Sequence, residues 1–129
     1  MALTQDCNYR CKYCYAEFQR NDGHRMKRET IIQFLNDCAE IGVKAISFTG
    51  DGESSLSPHF QEAVITGKKL GLDISTSTHG ERLDHLDLLQ VLSCLTYIRV
   101  NISAGVPDRY ARIHGVSEDS FHKVRRNIE

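Results

Sequence analysis

The sequence has no tryptophan, only two prolines and two methionines among 129 residues, and no long apolar run. No stretch approaches the roughly 20 apolar residues that a membrane-spanning helix needs. The first residues lack a basic stretch followed by an apolar one, so they do not predict a secretory signal. Sixteen basic and 17 acidic residues give a net charge of −1, which does not favour nucleic acid as a partner. We expect one globular domain with a modest core.

Cysteine is the residue type whose placement is most informative. Five cysteines are an odd number, which argues against a disulfide framework and favours a reducing, cytoplasmic location. Cys38 and Cys94 lie within apolar patterns and are expected to be small buried side chains. Cys7, Cys11 and Cys14 lie within eight residues at Cys-x-x-x-Cys-x-x-Cys spacing. Four thiolates normally hold an electron-carrying cluster, whereas a cubane held by three leaves one iron open to a ligand.

The spacing alone leaves two further interpretations open. One is a structural zinc site in a domain without catalysis, with Cys7, Cys11, Cys14 and a histidine such as His24 or His79 as ligands. The other is an iron–sulfur electron carrier that recruits a fourth ligand from elsewhere in the chain.

Short strand-like segments alternate with longer helix-like segments along the chain. Strands are predicted over 2–5, 44–49, 72–77 and 96–102, and helices over 27–41, 57–70, 84–92, 107–113 and 117–128. In the helix over 84–92, we expect Leu86, Leu89 and Leu92 to face the core. This order predicts an α/β fold with a parallel sheet covered by helices.

Polar residues and glycines follow the predicted strands, where sites of parallel α/β proteins form. Gly50, Gly52 and Glu53 follow the second strand, and they predict a tight turn with an acceptor for an ammonium group. Asn101 and Ser103 lie at the end of the fourth strand and share one face. The alternatives are an ordinary loop with an acid at a helix start, and polar packing at a strand end.

The cysteine loop resembles that of the radical S-adenosylmethionine enzymes. The resemblance implies that Cys7, Cys11 and Cys14 hold a 4Fe–4S cluster whose open iron binds S-adenosylmethionine. Reductive cleavage of that cofactor then gives a 5′-deoxyadenosyl radical. Tyr13 occupies the aromatic position before the third cysteine, beside the adenine.

Two more segments are similar to motifs of this family. The string Gly50-Asp51-Gly52-Glu53-Ser54 resembles the Gly-Gly-Glu-Pro motif that holds the amino group of the cofactor, although Asp51 and Ser54 depart from it. The strand ending in Asn101 and Ser103 resembles the family's ribose-binding strand. The family then implies an arginine for the cofactor carboxylate.

The best match for that arginine is Arg112, with Arg109 second. His79 stands where many relatives carry the asparagine of Thr-Asn-Gly, and it could contact substrate, donate a proton or shape the turn.

Taken together, the resemblance implies a partial (βα) TIM-like barrel with about four βα units, where the family usually has six. Residues 1–129 would then be an incomplete core domain. The implied function is hydrogen abstraction, with a reductase or flavodoxin-like electron donor and a peptide or protein substrate. Tyr9, Tyr15 and Phe18 would shield the cluster and shape the adenine pocket, with plain packing as the alternative role for Tyr9 and Phe18.

Overall fold

Three parallel strands form the sheet in a computed structural model that describes residues 1–16 and 23–129. They are β1 (Ala45–Phe48), β2 (Asp73–Thr78) and β3 (Tyr97–Val100). The central strand, β2, pairs with both neighbours, so that Ile46 lies opposite Ile74 and Thr76 lies opposite Ile98. Phe18, predicted to lie near the cysteine loop, is outside the described residues.

Helices alternate with these strands and continue after the last one. The described helices are α1 (Arg28–Glu40), α2 (Phe60–Lys69), α3 (Leu88–Cys94), α4 (Pro107–His114) and α5 (Glu118–Ile128). The predicted α/β class with a parallel sheet is confirmed, and the arrangement is consistent with a partial βα barrel. In the described part of the chain, no helix is both long enough and apolar enough to cross a membrane.

The ends of the first two helices follow from local sequence. Gly42 and Gly71 come just after α1 and α2 with φ angles of 84° and 81°, a conformation that glycine adopts without strain. The start of α2 lies three residues later than predicted. Ser57 and Pro58 form a turn ahead of the helix, in which the Phe60 N–H donates to the Ser57 carbonyl at 3.1 Å.

Of the three leucines predicted to face the core, Leu86 packs against it, but the two that lie on α3 do not. Leu89 is 85% exposed and Leu92 is 42% exposed, whereas Val91 is buried. The helix begins only after Asp87, whose carboxylate caps it by accepting from the Gln90 N–H at 3.2 Å. Because the predicted helix is interrupted at Asp87, α3 begins later than predicted, and Val91 takes the place of the two predicted leucines on the buried face.

The predicted first strand does not belong to the sheet. Its Thr4 makes a single antiparallel bridge with Arg25. Before it, the Met1 nitrogen donates to the Ser47 carbonyl at 2.8 Å, and the Thr49 N–H donates to the Met1 carbonyl at 3.2 Å. This is one parallel pair beside β1. Beyond it the segment runs along the loop that follows β1, so it cannot continue the ladder.

Two clusters of buried side chains hold the fold together. The larger lies between the sheet and the first helices and includes Leu3, Ile31, Leu35, Phe48, Phe60, Val64, Ile74 and Val91. The smaller consists of Tyr9, Tyr110 and Val124, with Cys7 and Cys11 packed against it. It joins the cysteine loop to α4 and α5, and it therefore fixes the position of Cys7 and Cys11, two of the three predicted cluster ligands.

Candidate functional site

The three N-terminal cysteines line one cavity of about 320 Å³. Arg10 and Asp51 also line it. Burial raises the pKa of the Cys7 thiol to about 11, and burial also raises the pKa of Cys11. Both thiols are therefore protonated near neutral pH, and a metal that binds them must displace their protons.

The backbone of the cysteine loop is attached to the end of α4. The Arg10 N–H donates to the His114 carbonyl and the Lys12 N–H donates to the Ile113 carbonyl, both at 2.9 Å. Gly115 ends α4 with a φ of 65°, and a Cβ there would lie 2.5 Å from the Arg10 carbonyl oxygen. The absence of a side chain at this position therefore permits the close approach of loop and helix.

Three of the predicted cofactor-binding residues meet at one hydroxyl group. The Asn101 side-chain amide donates to the Tyr13 hydroxyl at 2.6 Å, and the Ser103 hydroxyl lies 2.9 Å from the same oxygen. The Tyr13 side chain is about half exposed. The structure thus places a polar, accessible group of side chains directly beside the cysteine loop.

Glu53 is directed into the protein. Its Oε1 accepts from the Ser55 N–H at 3.1 Å, the Ser55 hydroxyl at 2.6 Å and the Thr78 hydroxyl at 2.8 Å. Its Oε2 accepts from the His79 N–H at 3.0 Å. The side chain is only 4% exposed. In this arrangement the carboxylate joins the loop after β1 to the end of β2, and it is not offered to a ligand in the cavity.

The two glycines before Glu53 permit contact with the N-terminal segment, where the sequence predicts approach to a ligand. A Cβ on Gly50 would lie 2.4 Å from the Cβ of Ala2. A Cβ on Gly52 would lie 2.5 Å from the carbonyl oxygens of both Thr4 and Asp6. Gly52 therefore packs against backbone, which cannot rotate aside.

We expect Gly52→Ala to lower the free energy of unfolding by about 3 kcal/mol, because overpacking against backbone forces the segment to shift. Chemical denaturation followed by circular dichroism measures this loss. Gly105→Ala is the matched control, since a Cβ at Gly105 meets no atom within 4 Å. Equal stability of the two variants would contradict the packing described here.

Arg112 is not brought together with the other predicted residues. It is exposed on α4, and its guanidinium lies 3.7 Å from Asp108 one turn earlier. Arg109 is exposed as well. The helix directs Tyr110 and His114, four positions apart, towards the cysteine loop, whereas Arg109 and Arg112 lie on its exposed face.

His114 is the site residue that the sequence analysis missed. The side chain is fully buried, and its Nδ1 lies 3.1 Å from the sulfur of Cys11. Burial lowers its pKa. The available signal was its spacing of four residues from Tyr110 on an amphipathic helix that ends at Gly115.

His79 shapes the turn after β2. Its ring stacks on Tyr9 with centroids 3.9 Å apart and planes inclined by 4°. Its Nδ1 accepts from the Glu81 N–H at 3.1 Å, so Nε2 carries the proton and donates to the side-chain Oδ1 of Asn8 at 2.9 Å. Burial lowers the pKa of this imidazole. With both ring nitrogens engaged, His79 is not disposed to complete a zinc site.

The donor arrangement fits a cluster better than a single ion. Within residues 1–16 and 23–129, no three histidine, cysteine or acidic side chains converge as one ion would require. A cubane takes each thiolate on a different iron, so its ligands surround a volume and do not meet at a point. Cys7, Cys11 and Cys14 around one cavity match that demand.

Comparison with known proteins shows which family this chain resembles. All 129 residues match the Radical SAM superfamily. The chain belongs to this superfamily. Membership in the radical SAM superfamily implies a 4Fe–4S cluster and S-adenosylmethionine as cofactors.

Relatives of known name extend well beyond this chain. A probable GTP 3′,8-cyclase of Thermococcus kodakarensis is 32% identical over an alignment of 130 residues, which covers 100% of this chain and 41% of the relative. An S-adenosylmethionine-dependent nucleotide dehydratase of Flammeovirga pacifica is 32% identical over an alignment of 129 residues, which covers 95% of this chain and 43% of the relative. A GTP 3′,8-cyclase of Campylobacter fetus is 31% identical over an alignment of 134 residues, which covers 100% of this chain and 41% of the relative. The chain thus spans about two fifths of the length of these relatives, and their names give no support to the predicted peptide or protein substrate.

Proposed function

We propose that this chain holds a 4Fe–4S cluster on Cys7, Cys11 and Cys14 and binds S-adenosylmethionine at the iron left open. The observation that carries the proposal is the enclosure of one cavity by three cysteines from a single loop. When bound, these cofactors supply a 5′-deoxyadenosyl radical that abstracts hydrogen from a substrate. In this proposal residues 1–129 are the part of a radical SAM core that carries the cluster loop.

The polar group beside the cavity is proposed to orient S-adenosylmethionine. The Tyr13 ring is accessible and could lie against the adenine, while the Asn101 amide and the Ser103 hydroxyl could bond to the ribose. Their mutual hydrogen bonds hold these side chains in place before a ligand arrives. Such preorganisation reduces the entropic cost of binding.

The Glu53 carboxylate is proposed to act indirectly, by fixing the turn at His79 and the end of β2. Its four donors come from the segment after β1 and from the end of β2 with the turn that follows, so the carboxylate holds these two parts together. Arg112, exposed on α4, stays a proposed ligand of the cofactor carboxylate only if the helix end rearranges on binding.

A nucleotide is the substrate class that we propose. The support is that the names of the relatives refer to GTP and to nucleotides, over sequence that covers nearly all of this chain. A one-electron donor such as a reductase or a flavodoxin-like protein would reduce the cluster.

Addition of S-adenosylmethionine to the reduced, reconstituted protein tests this function. We expect the electron paramagnetic resonance spectrum of the cluster to change, because the cofactor binds an iron directly. We also expect Ser103→Ala to require more cofactor for the same change. A titration under anaerobic conditions measures both effects.

Ser117→Ala, an exposed serine before α5, is the matched control and should titrate like the unmodified protein. A spectrum unchanged at saturating S-adenosylmethionine would instead favour the electron-carrier interpretation. Purified protein with one zinc and no iron would favour the structural zinc site.

A further inference from the structure

The imidazole of His114 is enclosed where α4 meets the cysteine loop. The side chain has no exposed surface. Its ring nitrogens lie near three polar groups: the sulfur of Cys11 is 3.1 Å from Nδ1, the Tyr13 hydroxyl is 3.5 Å from Nδ1, and the Ser103 nitrogen is 3.4 Å from Nε2. A buried ring in this position is held directly against the sulfur of one of the proposed cluster ligands.

The hydrogen bond from the backbone fixes the tautomer of this ring. A backbone N–H can only donate, so the Ser103 N–H requires a lone pair on Nε2 of His114. The proton of the neutral imidazole therefore lies on Nδ1. Of the two groups near Nδ1, the sulfur of Cys11 is the closer, so the ring donates to sulfur.

We propose that His114 is a positioning residue that donates from Nδ1 to the sulfur of Cys11 and raises the reduction potential of the cluster held there. This inference rests on the cluster binding proposed above. A hydrogen bond to a ligating sulfur stabilises negative charge, and the reduced cluster carries one more negative charge than the oxidised one. The buried location strengthens the effect, because little water screens the interaction.

The same tautomer means that Nδ1 of His114 forms a hydrogen bond to the Cys11 sulfur and does not itself bind iron. A histidine that ligates a metal uses a lone pair, and Nδ1 of His114 carries a proton. The thiolate of Cys11 stays the ligand, and His114 sets its electronic environment and its rotamer. The Tyr13 hydroxyl lies 3.5 Å from the same ring nitrogen, farther away than the sulfur.

Paired substitutions at His114 test the proposal through the midpoint potential of the reconstituted cluster. Leucine removes the donor, and we expect the ratio of reduced to oxidised cluster at a fixed potential to fall about tenfold, or about 59 mV for a one-electron couple. Glutamine keeps both a donor and an acceptor, so the midpoint potential of the His114→Gln protein should lie close to that of the unmodified protein. His122→Leu, at an exposed position of α5, is the matched control and should leave it unchanged.

A spectroscopic measurement on the unmodified protein covers the case in which His114→Leu does not fold. Protein labelled with ¹⁵N-histidine and reduced should show a weak ¹⁵N coupling to the cluster in electron–nuclear double resonance. The His122→Leu protein should keep this coupling. If the unmodified protein holds about four irons and four sulfides but shows no ¹⁵N coupling, the role of His114 is overturned and the proposed function stands. If the protein holds no iron, the proposed function itself is overturned. A potential of His114→Leu equal to that of the unmodified protein would also overturn the inference.

Discussion

Replacement of Cys7, Cys11 or Cys14 by alanine should each abolish cluster incorporation. Two remaining thiolates cannot hold a cubane in a loop that offers no further cysteine, and each of the three lines the same cavity. Iron and sulfide analysis after anaerobic reconstitution, together with the absorbance of the brown protein, measures the loss. We expect about four irons per chain in the unmodified protein and less than one in each of these variants.

Cys38→Ala and Cys94→Ala provide the matched controls within the same chain. Cys38 is buried in the face of α1 that packs on the larger core, and Cys94 ends α3. Both variants should retain the iron, with at most a moderate loss of stability from the smaller side chain. Loss of iron in a helix-cysteine variant, combined with retention in a loop variant, would show that the ligands have been assigned wrongly.

Removal of the Glu53 carboxylate should destabilise the protein more than any single surface change. Glu53→Ala leaves the Ser55 N–H, the Ser55 and Thr78 hydroxyls and the His79 N–H without their acceptor. Each buried donor without a partner carries a penalty, so we expect the free energy of unfolding to fall by about 4 kcal/mol. Urea denaturation of the metal-free protein measures this effect separately from cofactor binding.

Glu40→Ala, on the exposed surface of α1, is the matched control and should change stability by less than about 0.5 kcal/mol. A Glu53→Ala protein as stable as the unmodified one, but with a weakened response to S-adenosylmethionine, would contradict the inward role of this carboxylate. It would instead support the direct contact with the amino group that the sequence resemblance implies.

Local patterns in the sequence predict most of the fold. Gly42 and Gly71 mark the ends of α1 and α2, because a glycine in the left-handed region stops a helix whatever surrounds it. The alternation of Ile46 and Phe48 predicts which face of β1 is buried, and both are buried. The cysteine spacing likewise predicts a common cavity, since eight residues cannot carry the three side chains far apart.

What the sequence could not predict depends on contacts between distant segments. The inward turn of Glu53 requires the end of β2, and the burial of His114 requires the cysteine loop. None of these partners lies within the few residues over which periodicity and propensity act.

The attachment of the cysteine loop to α4 also sets the order in which this protein can become competent to receive metal. Cys11 and His114 are 103 positions apart, and closing a loop of that length costs about 4 kcal/mol in chain entropy before any contact compensates it. On a ribosome, the cysteines emerge long before the helix that supports them. The nascent chain therefore carries its thiols before the helix that supports them exists, and we expect insertion of the proposed cluster to follow the synthesis of α4.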